Sequence, residues 1–167
     1  MDITAIKTTD IAIEFAKATR LNDIELLNSL LHENGEFEIQ DKENEVIDAN
    51  KSEFLKWYKT KLDTMPITKI TYDQCLHCCI GNSVVIFNDG TFPRAIKDSS
   101  ERSKTGIMID AKDNKITRLK FCFVFLKTEN KYEFECTRDK VKELQKQGLS
   151  FNEAWKRVTG FDPSKII

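Results

Sequence analysis

The densest gathering of metal-ligand and acid–base side chains in this sequence is Cys75-x-His77-Cys78-Cys79. Thiolates and imidazoles are zinc's preferred donors, held at about 2.0–2.3 Å around the ion. The surrounding alternation predicts a strand, on which Cys75, His77 and Cys79 share a face at intervals of about 6.6 Å. One ion could join them only if the strand bent and a fourth donor, such as Cys122, arrived from opposite. No second CxxC pair is present. The thiols are therefore expected to pack as small apolar groups in a sheet, and neither a metal nor a cofactor is expected.

His77 and Asp73 are the catalytic candidates, because a carboxylate can orient and charge an imidazole for proton transfer. Along one strand face they lie about 13 Å apart, so a working carboxylate for His77 has to come from another strand. His32, near the end of a predicted helix, has a surface role by default. Asp89, Arg94 and Asp110 fall at loop ends, where functional groups often sit on a rigid scaffold. Arg94, following Pro93, is a candidate clamp for an anionic ligand. Phe15, Phe54, Trp57, Tyr58 and Tyr72 are the aromatic groups that would line an apolar pocket, with core packing as their plainer reading. No phosphate-cradling glycine loop, nucleophile elbow or dinucleotide fingerprint occurs.

These residues need elements to hold them. Ile11, Phe15 and Ala18 make one helical stripe over Asp10–Arg20. Asn22 with Glu25 predicts a capped second helix carrying Ile24, Leu27 and Leu31, stopped by Gly35. Glu36–Ile39 alternates as a half-buried strand. A third helix, Asn50–Leu62, opens with Asn50 and Glu53 as a capping box and buries Phe54, Trp57, Tyr58 and Leu62. Strands are expected at Ile70–Ile80 and Ser83–Phe87, then an exposed loop at Pro93–Ser103. A hairpin follows, with Thr105–Asp110 and Ile116–Lys127 flanking Ala111-Lys112-Asp113-Asn114. Leu119, Phe121, Phe123 and Phe125 alternate with Cys122, Val124 and Leu126, so the last strand is apolar on both faces and needs cover on both. The N-terminal helices supply one cover; a second subunit or the C-terminal segment must supply the other. That segment holds a charged helix over Arg138–Gln147 and a helix capped by Ser150 and Glu153, with a Phe151, Ala154, Trp155, Val158 stripe.

Lys and Arg number 26 against 27 Asp and Glu in 167 residues, a net charge of -1. Nucleic-acid binding usually needs a basic excess, and the clusters at Lys115–Lys120 and Arg138–Lys142 are diluted by acids. No basic start with an apolar run opens the chain and no run is long enough to span a membrane. A soluble, cytoplasmic protein is expected, with its five cysteines reduced.

The order helix, helix, strand, helix, then sheet resembles the nuclear-transport-factor-2-like superfamily, which includes ketosteroid isomerases and SnoaL-like polyketide cyclases. The residues that carry the likeness are Phe15, Ala16, Ala18, Asn22-Asp23, Leu26-Leu27 and Leu30-Leu31, leading into the strand at Glu36–Ile39. The resemblance implies an α+β, cone-like domain over residues 1–132. In it, N-terminal helices pack on a strongly curved, mostly antiparallel, cystatin-like sheet. A C-terminal helical extension over 133–167 would pack on the same domain or on a partner. It also implies a pocket between helices and sheet, and a homodimer through the outer sheet face. Carrying catalysis over fails: the isomerase tyrosine falls at about Phe15, which has no hydroxyl, and the general-base aspartate falls near Ile39. The leading expectation is a small-molecule-binding protein with an apolar pocket. The alternatives are an isomerase, dehydratase or cyclase built on His77 and a carboxylate, and a protein-interaction module.

Overall fold

The structure, a computed structural model, describes residues 3–41, 43, 45–64, 72–80, 83–88, 103–128 and 131–159. Side chains are described for 7–41, 43, 45–61, 83–86, 106–122 and 134–158. In chain order the elements are α1 (Ile3–Leu21), α2 (Ile24–Leu30), β1 (Leu31–Gln40), β2 (Val46–Ala49), α3 (Lys51–Thr64), β3 (Tyr72–Ile80) and β4 (Ser83–Asn88). They continue with β5 (Ser103–Lys112), β6 (Lys115–Thr128), β7 (Lys131–Cys136), α4 (Thr137–Lys146) and α5 (Phe151–Thr159). Asp89 and Arg94 lie outside the described residues, as does the predicted loop Pro93–Ser103 except Ser103 itself, which opens β5. For Tyr72, Asp73, Cys75 and His77 the strand backbone is described and the side chains are not.

Local chemistry sets several boundaries. Asn50 Oδ1 accepts from the Glu53 amide (3.0 Å) while Glu53 Oε2 accepts from the Asn50 amide (2.8 Å), closing the predicted box at the start of α3. Ser150 and Glu153 do the same for α5, at 2.9 and 3.2 Å. Asp113 and Asn114, at φ 52° and 59°, form the two-residue turn between β5 and β6, the geometry that matches the twist of a hairpin.

The entry to α2 differs from expectation. Asn22 takes φ 56° and ends α1, while Asp23 caps α2 by accepting from the Leu26 amide at 2.9 Å. Asparagine tolerates the left-handed region, so it serves better as the kink between helices than as the cap. Gly35 stops no helix: α2 already ends at Leu30, and Gly35 lies within β1. Its role is steric, since a Cβ there would come within 2.9 Å of the Phe37 ring. Two strands escaped the sequence reading, β2 and β7. β2 has only four residues, too few to show a period, whereas Lys131–Cys136 of β7 alternates polar and apolar throughout, a legible strand signal.

Among the described residues the sheet has seven strands in the order β2-β1-β6-β5-β4-β3, with β7 also paired to β6. All pairings are antiparallel except β1 with β6, which is parallel. One edge of β6 is lined by β5. Its other edge is shared: β1 takes it from Ile116 to Leu119 and β7 takes it from Cys122 onward. β3 is bulged, with Asp73 opposite Phe87 and His77 opposite Ile86. Three extra β3 residues therefore break the alternation predicted through Ile70–Ile80. Asp73 and His77 fall in opposite rows of the sheet, not on one face.

The sheet is covered on both sides. Phe15, Leu27, Phe37, Phe54, Tyr58, Ile86, Ile109 and Leu119 form a core between α1–α3 and one face. Val46 lies opposite Gln40, in the alternate row to Phe37 and Ala49, and packs with Val141, Leu144, Ala154, Trp155 and Val158 of α4 and α5. The C-terminal helices thus cover the second face over β1 and β2, and Phe121 touches both clusters.

Gly35→Ala is expected to destabilise the protein by about 1–3 kcal/mol, the usual cost of overpacking, because the fully buried Phe37 ring has nowhere to retreat. A lower urea midpoint at unchanged m-value is the readout; an unchanged midpoint would contradict this packing.

Candidate functional site

Three groups of side chains come together with chemistry to offer. The first is aromatic. α3 points Phe54, Trp57 and Tyr58 toward the sheet, because their spacing puts them on one helical face. Ring centroids lie 5.4 Å apart for Phe37–Phe54, 5.9 Å for Phe54–Trp57, 6.3 Å for Phe54–Tyr58 and 6.1 Å for Trp57–Phe121. Phe15 is buried in the same core from α1. Four of the predicted lining residues are therefore brought together.

Within this cluster Tyr58 donates to the Thr19 carbonyl at 3.3 Å, and burial pushes its pKa up to about 12. It stays a neutral donor at any physiological pH. The Trp57 indole N–H is buried and, among the described residues, finds no acceptor. Lys61 stands one turn on, its ammonium 6.0 Å from the Trp57 ring centre, and burial pulls its pKa down.

The second group is ionic and lies on the other face. Glu38 of β1 is only 4% exposed, and its carboxylate accepts from the Phe121 amide at 2.8 Å. Phe121 sits where β6 has lost β1 and not yet gained β7, so its amide has no ladder partner there and a side chain must serve it. Burial raises the Glu38 pKa, against the pull of that hydrogen bond and of Arg138. Arg138, from the first turn of α4, reaches Glu38 at 3.6 Å and grips both oxygens of Asp48 on β2 at 3.0 and 3.3 Å. The hydrogen bond to Arg138 lowers the Asp48 pKa. The Arg138 Nε is buried and has no acceptor among the described residues.

The third group lines a cleft of about 400 Å³ between α2, the start of β1 and the Asp113–Asn114 turn. Its cations are committed within the chain: Lys51 binds Glu33 at 2.5 Å and Lys115 donates to the Ser29 carbonyl. His32 accepts from the Asn34 amide at 3.1 Å. Asp110, a loop-end candidate, is likewise occupied, by Arg118 at 2.5–2.6 Å and by the Ser83 hydroxyl.

The other predicted groupings stand as follows. Cys122 cannot complete a metal site with Cys75, His77 and Cys79, since β5 and β4 stand between β6 and β3. His77 occupies the row of Ile86, which faces the helix-side core, and Asp73 the row of Phe87. Sequence reasoning missed Glu38, Asp48 and Arg138 altogether. A signal existed: if β6 needs cover on both faces, so does its neighbour β1, and an acid alternating with Phe37 would then be buried and need partners.

These features define an α+β domain in which N-terminal helices cover one face of a mostly antiparallel sheet and two further helices pack behind it. The chain is similar to a loop-truncation variant of IdmH, with a TM-score of 0.51 and 14% identity over 70% of this chain and 91% of that one. A nuclear-transport-factor-2-like protein of unknown function from Cytophaga hutchinsonii gives 0.47 and 17% identity over 70% and 88%. A protein of ketosteroid isomerase-like fold from Catenulispora acidiphila, in complex with trimethylamine, gives 0.46 and 13% over 66% and 82%. Likeness at such identity establishes the fold alone. No family model and no curated protein matches the sequence. No helix among the described residues is long and apolar enough to cross a membrane.

The ionic group predicts a specific pH dependence. With its folded pKa raised above 4.5, Glu38 contributes stability that is fully present below about pH 4.5 and lost as pH rises through the folded value. Urea titrations at pH 4 to 8 should show wild type losing ground to Glu38→Gln as pH rises; a constant gap would contradict this. Arg138→Ala leaves the carboxylate buried without its cation. It should cost about 2 kcal/mol, below the 3–5 kcal/mol of a fully buried pair, because Arg138 is 23% exposed.

Proposed function

We propose that this protein binds an apolar small molecule carrying a hydrogen-bond acceptor, held between α1, α3 and the helix-side face of the sheet. The observation that carries this reading is the Trp57 indole N–H, buried among Phe54, Phe121 and the Lys61 stem yet donating to none of the described residues. An unmet buried donor costs about 1–3 kcal/mol, and a bound acceptor would recover it. The neighbouring rings offer the apolar body its contacts, and Lys61 favours an acceptor with negative charge. Tyr72 and Arg94 remain proposed members of the same site.

A second reading makes the site catalytic, and the position of His77 favours it: its row faces the helix-side core, where an imidazole could move a proton on a bound ligand. Asp73, in the opposite row, would not assist it. The proposed homodimer would use outer-face surface beyond α4 and α5, which already occupy the part over β1 and β2.

The chain has two tryptophans, so Trp155→Phe leaves Trp57 as sole reporter. Anilinonaphthalene sulfonate, an apolar ring system bearing an anion, should quench Trp57 emission saturably, with one probe per chain. Trp57→Phe, followed by the emission of the probe itself, keeps an aromatic ring and removes the donor, and should weaken probe binding about fivefold, the equivalent of about 1 kcal/mol. Absence of saturable binding, or equal affinity in Trp57→Phe with circular dichroism unchanged, would overturn the reading.

A further inference from the structure

Two cysteines share the last rung of the β6–β7 ladder, where Cys122 lies directly opposite Cys136. Opposed residues of antiparallel strands have Cα atoms about 4.5–5.5 Å apart, within the 4.4–6.8 Å a disulfide spans. On the other flank the rung continues to Gly106 of β5, where the Cys122 Sγ stands 3.5 Å from the position a Cβ would take. Cys122 is buried and Cys136 is partly exposed. The two therefore differ in access while sharing a rung. Cys75, Cys78 and Cys79 are on β3, which β4 and β5 separate from β6, and are no competitors for this pair.

We propose that Cys122 and Cys136 are a modification site: they form a disulfide when the chain meets a low-molecular-weight disulfide such as oxidised glutathione. The Cys136 thiolate attacks one sulfur of the oxidant, breaking its S–S bond and releasing the first thiol. The Cys122 thiolate then attacks the Cys136 sulfur of the mixed disulfide and expels the second thiol. Two protein thiols lose two protons and two electrons, and the oxidant is reduced to two thiols. Burial holds the Cys136 thiol pKa up, with Asp139 of α4 and Glu38 of β1 adding to it and Lys120 and Arg118 of β6 opposing; the resting state is thus the thiol. The consequence is mechanical. α4 starts at Thr137, the residue after Cys136, and Arg138 beside it holds Asp48 and Glu38. The new bond pins the root of α4, and with it the cover that α4 and α5 provide, to the longest strand of the sheet.

The test is to incubate the folded protein with oxidised glutathione at pH 8, block remaining thiols and digest with trypsin. The expected product joins the peptide over residues 121–127 to that over 132–138, with two hydrogens lost and recovered by dithiothreitol. Cys122→Ser should stop at a Cys136–glutathione mixed disulfide, and Cys136→Ser should leave Cys122 unmodified. In the linked form, amide exchange in α4 should slow at least tenfold. A wild-type protein that keeps glutathione on Cys136, links either thiol to Cys75, Cys78, Cys79 or another chain, or links the pair only in denaturant, would overturn the proposal.

Discussion

Much of this structure hangs on one backbone amide. β6 passes from β1 to β7 at Phe121, and the ladder cannot serve that N–H during the exchange. A buried amide left without an acceptor costs about 1–3 kcal/mol, so Glu38 turns its carboxylate to it. The charge brought in by that carboxylate then has to be compensated, and the nearest cation is Arg138. Arg138 is anchored in turn by Asp48. A gap in one ladder therefore dictates an acid on β1, an acid on β2 and a base at the start of α4, and these tie the C-terminal helices to the strands they cover.

That arrangement also divides the two faces by task. The outer face over β1 and β2 is closed by α4 and α5, whose amphipathic stripes find Val46 and Phe121. The helix-side face holds the aromatic cluster and the unmet indole donor. Ionic chemistry sits on one side as structural bonding, and the side with spare hydrogen-bonding capacity is apolar. Such a division is in keeping with the proposed binding of an apolar molecule, and the net charge is near zero. The fold itself leaves the choice between binding and catalysis to the residues of the site.

The legibility of these features follows from how far their causes reach along the chain. The capping boxes at Asn50 and Ser150 are closed by residues three apart. The Asp113–Asn114 turn needs only its own two residues. Phe54, Trp57 and Tyr58 share a face by helical period alone, and so were rightly grouped. Asp73 and His77 were read onto one row because the even alternation of a strand was extended through a bulge, which no local residue in Asp73–His77 announces. Gly35 was misassigned because a glycine after a Leu-rich helix is a common stop; here the chain turns straight into β1, and the glycine makes room for Phe37.

The amphipathic rods, their caps, the hairpin and the need for cover on both faces of β6 can be read from the chain, since all depend on neighbours within a few residues. That β6 has two partners along one edge, that Glu38 is buried and that Cys122 lies opposite Cys136 emerge with the assembled fold. The Glu38–Phe121 and Arg138–Asp48 bonds span 83 and 90 residues, a separation at which periodicity and propensity carry no information. Strand pairing sets such contacts, and pairing is settled only when the whole sheet is assembled.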